Sequence, residues 1–129
     1  MKIRWVGKRA VLAIHTQMIA EYGGSEGVRE DGLLESALAR PLNLHGYDNP
    51  PVFDLAAAYA FGIVRNHPFI DGNKRTGLVV AGVFLFLNGW DLAASEADAV
   101  TMFFRLAEGK ITEKELAAWF KGNCVRIKK

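Results

Sequence analysis

Apolar residues recur at helical spacing over most of the chain. From Lys8 to Tyr22 the positions Val11, Leu12, Ile14, Met18, Ile19 and Tyr22 fall three and four residues apart, and Gly23-Gly24 stops the run. A second, shorter helix is predicted from Gly32 to about Arg40, carrying Leu33, Leu34, Ala37 and Leu38 and ended by Pro41. Residues 41–51 hold three prolines, two asparagines and a glycine and read as a loop. Helix formers resume over Val52–Asn66, the stretch HPFIDG interrupts them, and a nearly all-apolar helix follows from Asn73 to Leu87. Being apolar around most of its circumference, that helix is predicted to be the buried centre of a bundle. Asn88-Gly89 ends it. Ser95 with Asp98, and Thr112 with Glu115, have the spacing of N-caps for two further helices, with Gly109 and Gly122 at their ends. Only Lys2–Val6 and Trp90–Leu92 are strand-like, enough for at most a short β ribbon. The pattern predicts an all-α bundle of about six helices, in a single domain over residues 1–129.

Composition narrows the class. Half of the 129 residues are apolar and there is one cysteine, so no disulfide can form within the chain and a reducing, cytoplasmic setting is expected. The longest apolar run, Leu78–Leu87, falls well short of the ~20 residues of a membrane span. No signal peptide is evident after the charged start. The net charge of +2 hides an asymmetry. Lys2, Arg4, Lys8 and Arg9 stand at one end, and Lys121, Arg126, Lys128 and Lys129 at the other, with no acid among them. Residues 11–120 carry eight basic side chains against fourteen acids, a net of −6. A nucleic-acid binder shows a basic stripe across its working face. An acidic body with basic ends reads instead as solvated termini, so no nucleic acid and no membrane is expected as a partner.

The chemistry concentrates in residues 67–77, HPFIDGNKRTG. Pro68 disfavours helical geometry at His67, which puts the imidazole at the rim where a helix ends. Gly72 allows a sharp turn. Asn73 then opens the next helix, whose unpaired N–H groups make an anion site. Lys74 and Arg75 are the only adjacent basic pair in the acidic middle. Cations at a helix start are locally unfavourable unless something negative binds there. Asp71 supplies the hard oxygen that Mg²⁺ prefers, and His67 can accept a proton near neutral pH. Base, metal ligand and phosphate cradle are the parts of phosphoryl or nucleotidyl transfer.

This segment resembles the Fic/Doc signature: histidine, any residue, phenylalanine, any residue, an acid, a small residue, then asparagine. AMP-transferring Fic proteins follow the asparagine with glycine and arginine, and a second arginine three residues on. Here Lys74, Arg75 and Leu78 stand in those places, and Asn-Lys-Arg is the pattern of the Doc (death-on-curing) branch. The resemblance takes in Ile14-His15, Gly23-Gly24 and the run from Gly27 to Pro41, and covers at least residues 12–92. It implies an all-helical Fic fold and a toxin of a two-gene toxin–antitoxin module. The implied activity is a kinase that uses ATP and Mg²⁺ to phosphorylate a threonine of elongation factor Tu, stopping translation. His67 is then the general base. Asp71 holds Mg²⁺ and orients that base, and Gly72, Asn73, Lys74 and Arg75 bind the triphosphate. Phe69 anchors the loop in the core.

Two departures from the AMP-transferring pattern have a physical reading. Lysine fills the space that glycine leaves for the distal phosphates, and leucine removes an arginine clamp, so the nucleotide sits reversed with its γ-phosphate beside His67. AMP transfer is the alternative activity, and a non-catalytic antitoxin-binding module the alternative class. A ribonuclease toxin lacks the expected basic face. Loop 41–51 stands where the family carries a flap that aligns the target peptide. No Ser or Thr is followed at the right interval by the Glu of the family's self-inhibiting helix, so inhibition is expected in trans from a cognate antitoxin. His15 is assigned a structural hydrogen bond and His45 a surface position. No spacing supports a zinc site, Cys124 lacks the surroundings of a nucleophile, and Phe103, Phe104, Trp119 and Phe120 are assigned to the core.

Overall fold

The computed structural model describes residues 2–128, so Lys129 of the basic tail lies outside the described residues. Six helices follow in order: α1 (Lys8–Tyr22), α2 (Asp31–Asp48), α3 (Val52–Asn66), α4 (Asn73–Leu87), α5 (Glu96–Ala107) and α6 (Glu113–Asn123). Two three-residue strands, β1 (Trp90–Leu92) and β2 (Cys124–Arg126), pair antiparallel with Trp90 opposite Arg126 and Leu92 opposite Cys124. The all-α expectation with a short ribbon holds. No helix among the described residues is long and apolar enough to cross a membrane.

The centre of the bundle is α3, not α4 as the sequence pattern predicts. Ten of the fifteen α3 residues are buried, four of them alanines, and α2, α4, α5 and α6 all pack against it. Small side chains let neighbours approach from every side, whereas α4 buries one face and leaves Phe86 and Leu87 exposed. The α2–α3 contact is close enough that a Cβ on Gly62 would lie 3.1 Å from both the Cα and the carbonyl oxygen of Ala37.

That contact also explains the largest difference from the predicted elements. Helix α2 runs through Pro41 to Asp48, so residues 41–48 are helical and the predicted loop shrinks to Asn49–Pro51. A proline inside a helix removes one hydrogen bond and costs about 3 kcal/mol. Here Leu34, Ala37 and Pro41 form the buried stripe of α2, and Arg40 reaches the Phe61 ring on α3 and pairs with Glu113 on α6. Burial of Leu34, worth ~1.5–3 kcal/mol, with smaller contributions from Ala37, Pro41 and the partly buried Leu38 and Leu44, offsets the lost bond.

The expected strand Lys2–Val6 does not form, and side chains satisfy part of its backbone. Asn88 accepts from the Arg4 N–H at 3.0 Å and donates to the Arg4 carbonyl at 2.9 Å. Buried Tyr59 accepts from the Val6 N–H and donates to the Val6 carbonyl, both at 3.0 Å. The predicted caps hold: Ser95 accepts from Asp98 N–H, and Thr112 with Glu115 makes a full capping box. Gly122 does not end α6, which continues to Asn123 before turning into β2. Phe103 and Phe120 are buried and Trp119 is half-buried, but Phe104 faces outward. His45 is half-buried in the last turn of α2, edge-on to Trp5 at 5.4 Å, rather than on the surface.

Candidate active site

The loop between α3 and α4 is built by two fixed ends and a clasp. His67 ends α3 in the left-handed region (φ 53°), its N–H donating to the Ile63 carbonyl at 3.2 Å. Arg29 holds that end from outside: Nε donates to the His67 carbonyl at 2.9 Å and Nη2 to the Asn66 carbonyl at 3.1 Å. At the other end Gly72 has φ 80°, and a Cβ there would come within 3.1 Å of Ile19 Cδ1, so only glycine suits the turn.

Between these ends the chain passes as a short extended piece against residues 27–30. Arg29 N–H donates to the Pro68 carbonyl at 2.7 Å and Ile70 N–H to the Gly27 carbonyl at 3.1 Å, with Val28 opposite Phe69. In an antiparallel pair the residue between those bonds points its own N–H and C=O the other way. Those two groups of Phe69 meet the Asn73 side chain, which accepts from the N–H and donates to the carbonyl, each at 3.0 Å. Asn73 is buried, and Phe69 is wholly so. Its side-chain amide is thereby committed to the loop, leaving only its backbone N–H for a phosphate.

His15 completes the support. Its ring stacks on Phe69 at 3.8 Å, 7° from parallel, and Nε2 donates to the Asp71 carbonyl at 2.8 Å. The structural hydrogen bond expected of His15 is present. The Asp71 carboxylate faces the other way, Oδ2 accepting from the Ser25 N–H at 2.7 Å, and Gly24 packs against Asp71 so closely that a Cβ would lie 3.1 Å from Asp71 Cβ. The segment lying over the loop is therefore 23–30. Residues 41–51, assigned to that flap from the sequence, belong mostly to α2 and pair with no part of the loop.

A cleft of about 380 Å³ opens at the head of α4, lined by Asp71, Gly72, Asn73, Lys74 and Arg75 on one side and by Met18, Tyr22, Gly23 and Gly24 on the other. The first-turn N–H groups of α4 have no acceptor within the helix. Arg75 lies flat on the Tyr22 ring, 3.6 Å from its centroid, and Lys74 sits over the Phe104 ring at 5.0 Å. Cations, helix amides and one carboxylate thus converge on a small volume suited to a phosphorylated ligand. His67 is not among the residues lining this cleft; it is an exposed residue at the α3 end of the loop. Leu78 lies away from the cleft as well, along the groove between α4 and α5. No cluster of three potential metal ligands occurs among the described residues. Burial, reinforced by Asp91, pushes the Cys124 thiol up to about 11, so it stays protonated at neutral pH.

The sequence analysis gave no site role to Tyr22, Ser25 or Arg29, since periodicity carries no information about contacts between residues roughly forty to fifty positions apart.

A sequence profile of the Fic/DOC family matches residues 5–85. The chain belongs to the Fic/Doc family. Toxin Doc of Mycolicibacterium smegmatis is 47% identical over 75 residues, covering 57% of this chain and 58% of that protein. Protein kinase doc of Escherichia phage P1 is 33% identical over 88 residues, covering 67% of this chain and 70% of its own length. The chain thus spans less than two thirds of the first of these relatives. Within the Fic/Doc family, both fall on the Doc branch, as does the Asn73-Lys74-Arg75 run.

Proposed function

We propose that this Fic/Doc chain is a Doc-type toxin: a protein kinase that moves the γ-phosphoryl group of ATP to a threonine hydroxyl of elongation factor Tu and so arrests translation. The observation that carries the reading is the cationic cleft at the head of α4, with Lys74, Arg75 and Asp71 on one wall. The name of the phage relative, a protein kinase, supports the reaction class.

The triphosphate lies on the amides and cations of Gly72, Asn73, Lys74 and Arg75. Asp71 fits Mg²⁺, because it offers one exposed carboxylate, and this ion is held by one or two carboxylates plus substrate phosphates rather than by a protein cage. Bound there, Mg²⁺ offsets phosphate charge. His67 takes the proton of the threonine hydroxyl as that oxygen attacks the γ-phosphorus, and the bond to ADP breaks with its electron pair leaving on ADP. An exposed imidazole at the loop rim is reachable by the side chain of another protein. Position 78 is leucine, so the second arginine of the AMP-transferring pattern is missing. With no self-inhibiting motif in the chain, control falls to a separate cytoplasmic antitoxin whose flexible segment folds onto the toxin.

Incubation with elongation factor Tu and ATP, followed by mass measurement, tests this. A gain of one phosphoryl group is expected, and a gain of AMP overturns the kinase. His67→Ala should lower the rate by about 10²–10⁴-fold without changing thermal unfolding. Growth arrest that survives His67→Ala means a binding module instead.

A further inference from the structure

The basic segments at the two ends of the sequence meet in space. Asn88 and Gly89, at the end of α4, join them: the Asn88 side chain bonds both backbone groups of Arg4, and the Ile127 N–H donates to the Gly89 carbonyl at 2.9 Å. The junction forms a cleft of about 640 Å³, well apart in the sequence from the residues lining the phosphate cleft.

Among the described residues three cations line it, Lys2, Arg4 and Arg126, and no carboxylate side chain does. None of the three makes an ion pair among the described residues, although Lys8, Arg40 and Lys110 do. Arg126 is held over the Trp90 ring at 5.1 Å, which leaves its N–H groups free for an acceptor. The same cleft is lined by Phe86, 60% exposed, Leu87, 41% exposed, and Ile127. On its other side Phe86 borders a pocket that holds Asp91 and Glu96, so the cationic character belongs to this cleft alone. Large apolar side chains left in water beside unpaired cations have the composition of an interaction site.

We propose that this cleft docks an acidic peptide segment of a partner protein, carrying an aliphatic or aromatic anchor that covers Phe86 and Leu87. One feature favours a peptide over nucleic acid. The residues between the basic ends carry a net of −6, which repels a polyphosphate continuing beyond the cleft, while a cluster of carboxylates can be confined to it. The inference does not depend on phosphoryl transfer, and its test involves no ATP.

A short fluorescent peptide with Asp and Glu flanking a Leu-Phe pair is titrated with the whole protein and followed by anisotropy. Saturable binding is expected, weakening as salt rises. Replacing its acids by Asn and Gln, or the Leu-Phe pair by Ser-Ser, should each weaken binding at least about tenfold. Lys2→Glu with Arg4→Glu should do the same, and Phe86→Ser, on an exposed side chain, provides a second route if the charge reversal disturbs folding. Equal binding by the charge-reversed protein, or by the Ser-Ser peptide, overturns the proposal. So does absence of saturation, or an oligothymidylate that binds more tightly than the acidic peptide.

Discussion

Replacing Asn73 by alanine separates a structural asparagine from a phosphate ligand. Among the described residues the side chain is the sole hydrogen-bond partner of the Phe69 N–H and C=O, both on a residue with no exposed surface. Truncation leaves one buried donor and one buried acceptor unpaired, at about 1–3 kcal/mol each. Alanine recovers roughly 0.6 kcal/mol of helix propensity, so the net loss is about 1.4–5.4 kcal/mol, a large share of the ~5–15 kcal/mol typical of a domain. With an unfolding entropy near 2.1 cal/mol/K per residue, a chain of this length should lose about 5–20 °C in Tm. Asn73→Asp accepts from the N–H but sets a carboxylate against the Phe69 carbonyl. It should be as damaging at neutral pH and partly rescued in acid, where the protonated carboxyl can donate. Differential scanning calorimetry without nucleotide measures both. A Tm for Asn73→Ala within about 2 °C of the parent refutes the clasp, and an effect seen only in ATP-dependent stabilisation assigns the side chain to the phosphate instead.

Two glycines should respond oppositely to alanine. Gly62→Ala forces a methyl against the Ala37 backbone and should destabilise by about 1–2 kcal/mol after its propensity gain, whereas Gly82→Ala enters open space and should stabilise by up to ~1 kcal/mol, both read by urea denaturation. Burial raises the Tyr59 hydroxyl above its ordinary value, against the smaller opposing effect of its Val6 bond. Since the folded state keeps that proton longer than the unfolded chain, its contribution is complete below about pH 10 and fades as pH climbs beyond it. Tyr59→Phe should therefore show a shallower alkaline loss of stability, and an unchanged slope refutes the assignment. Tyr22→Leu should weaken ATP binding about three- to tenfold by releasing the Arg75 guanidinium, yet have no effect in an Arg75→Ala background. Additive losses in a calorimetric double-mutant cycle mean that Tyr22 acts independently of Arg75.

Helix identity and number were readable along the chain because they depend on local spacing: the bounds of α1, α3 and α4, and both side-chain caps, follow from apolar period and capping residues. The family and the polar loop were also legible, since one continuous run, His67 to Gly77, carries the signature. Wherever a rule of local propensity met a nonlocal contact, tertiary structure decided. Pro41 was a helix breaker until Ala37 and Pro41 packed against α3, and α4 was the apolar centre until the alanines of α3 drew four helices around them. Lys2–Val6 had strand composition, but Asn88 and Tyr59 took its hydrogen bonds, and β1 found β2 instead. The same division runs through the site. Residue types in the loop announced phosphate chemistry, while the Asn73 clasp, the His15–Phe69 stack, the Tyr22 wall and the covering segment 23–30 depended on contacts between distant parts of the chain. Those arise only when burial of the core repays the entropy of bringing such parts together.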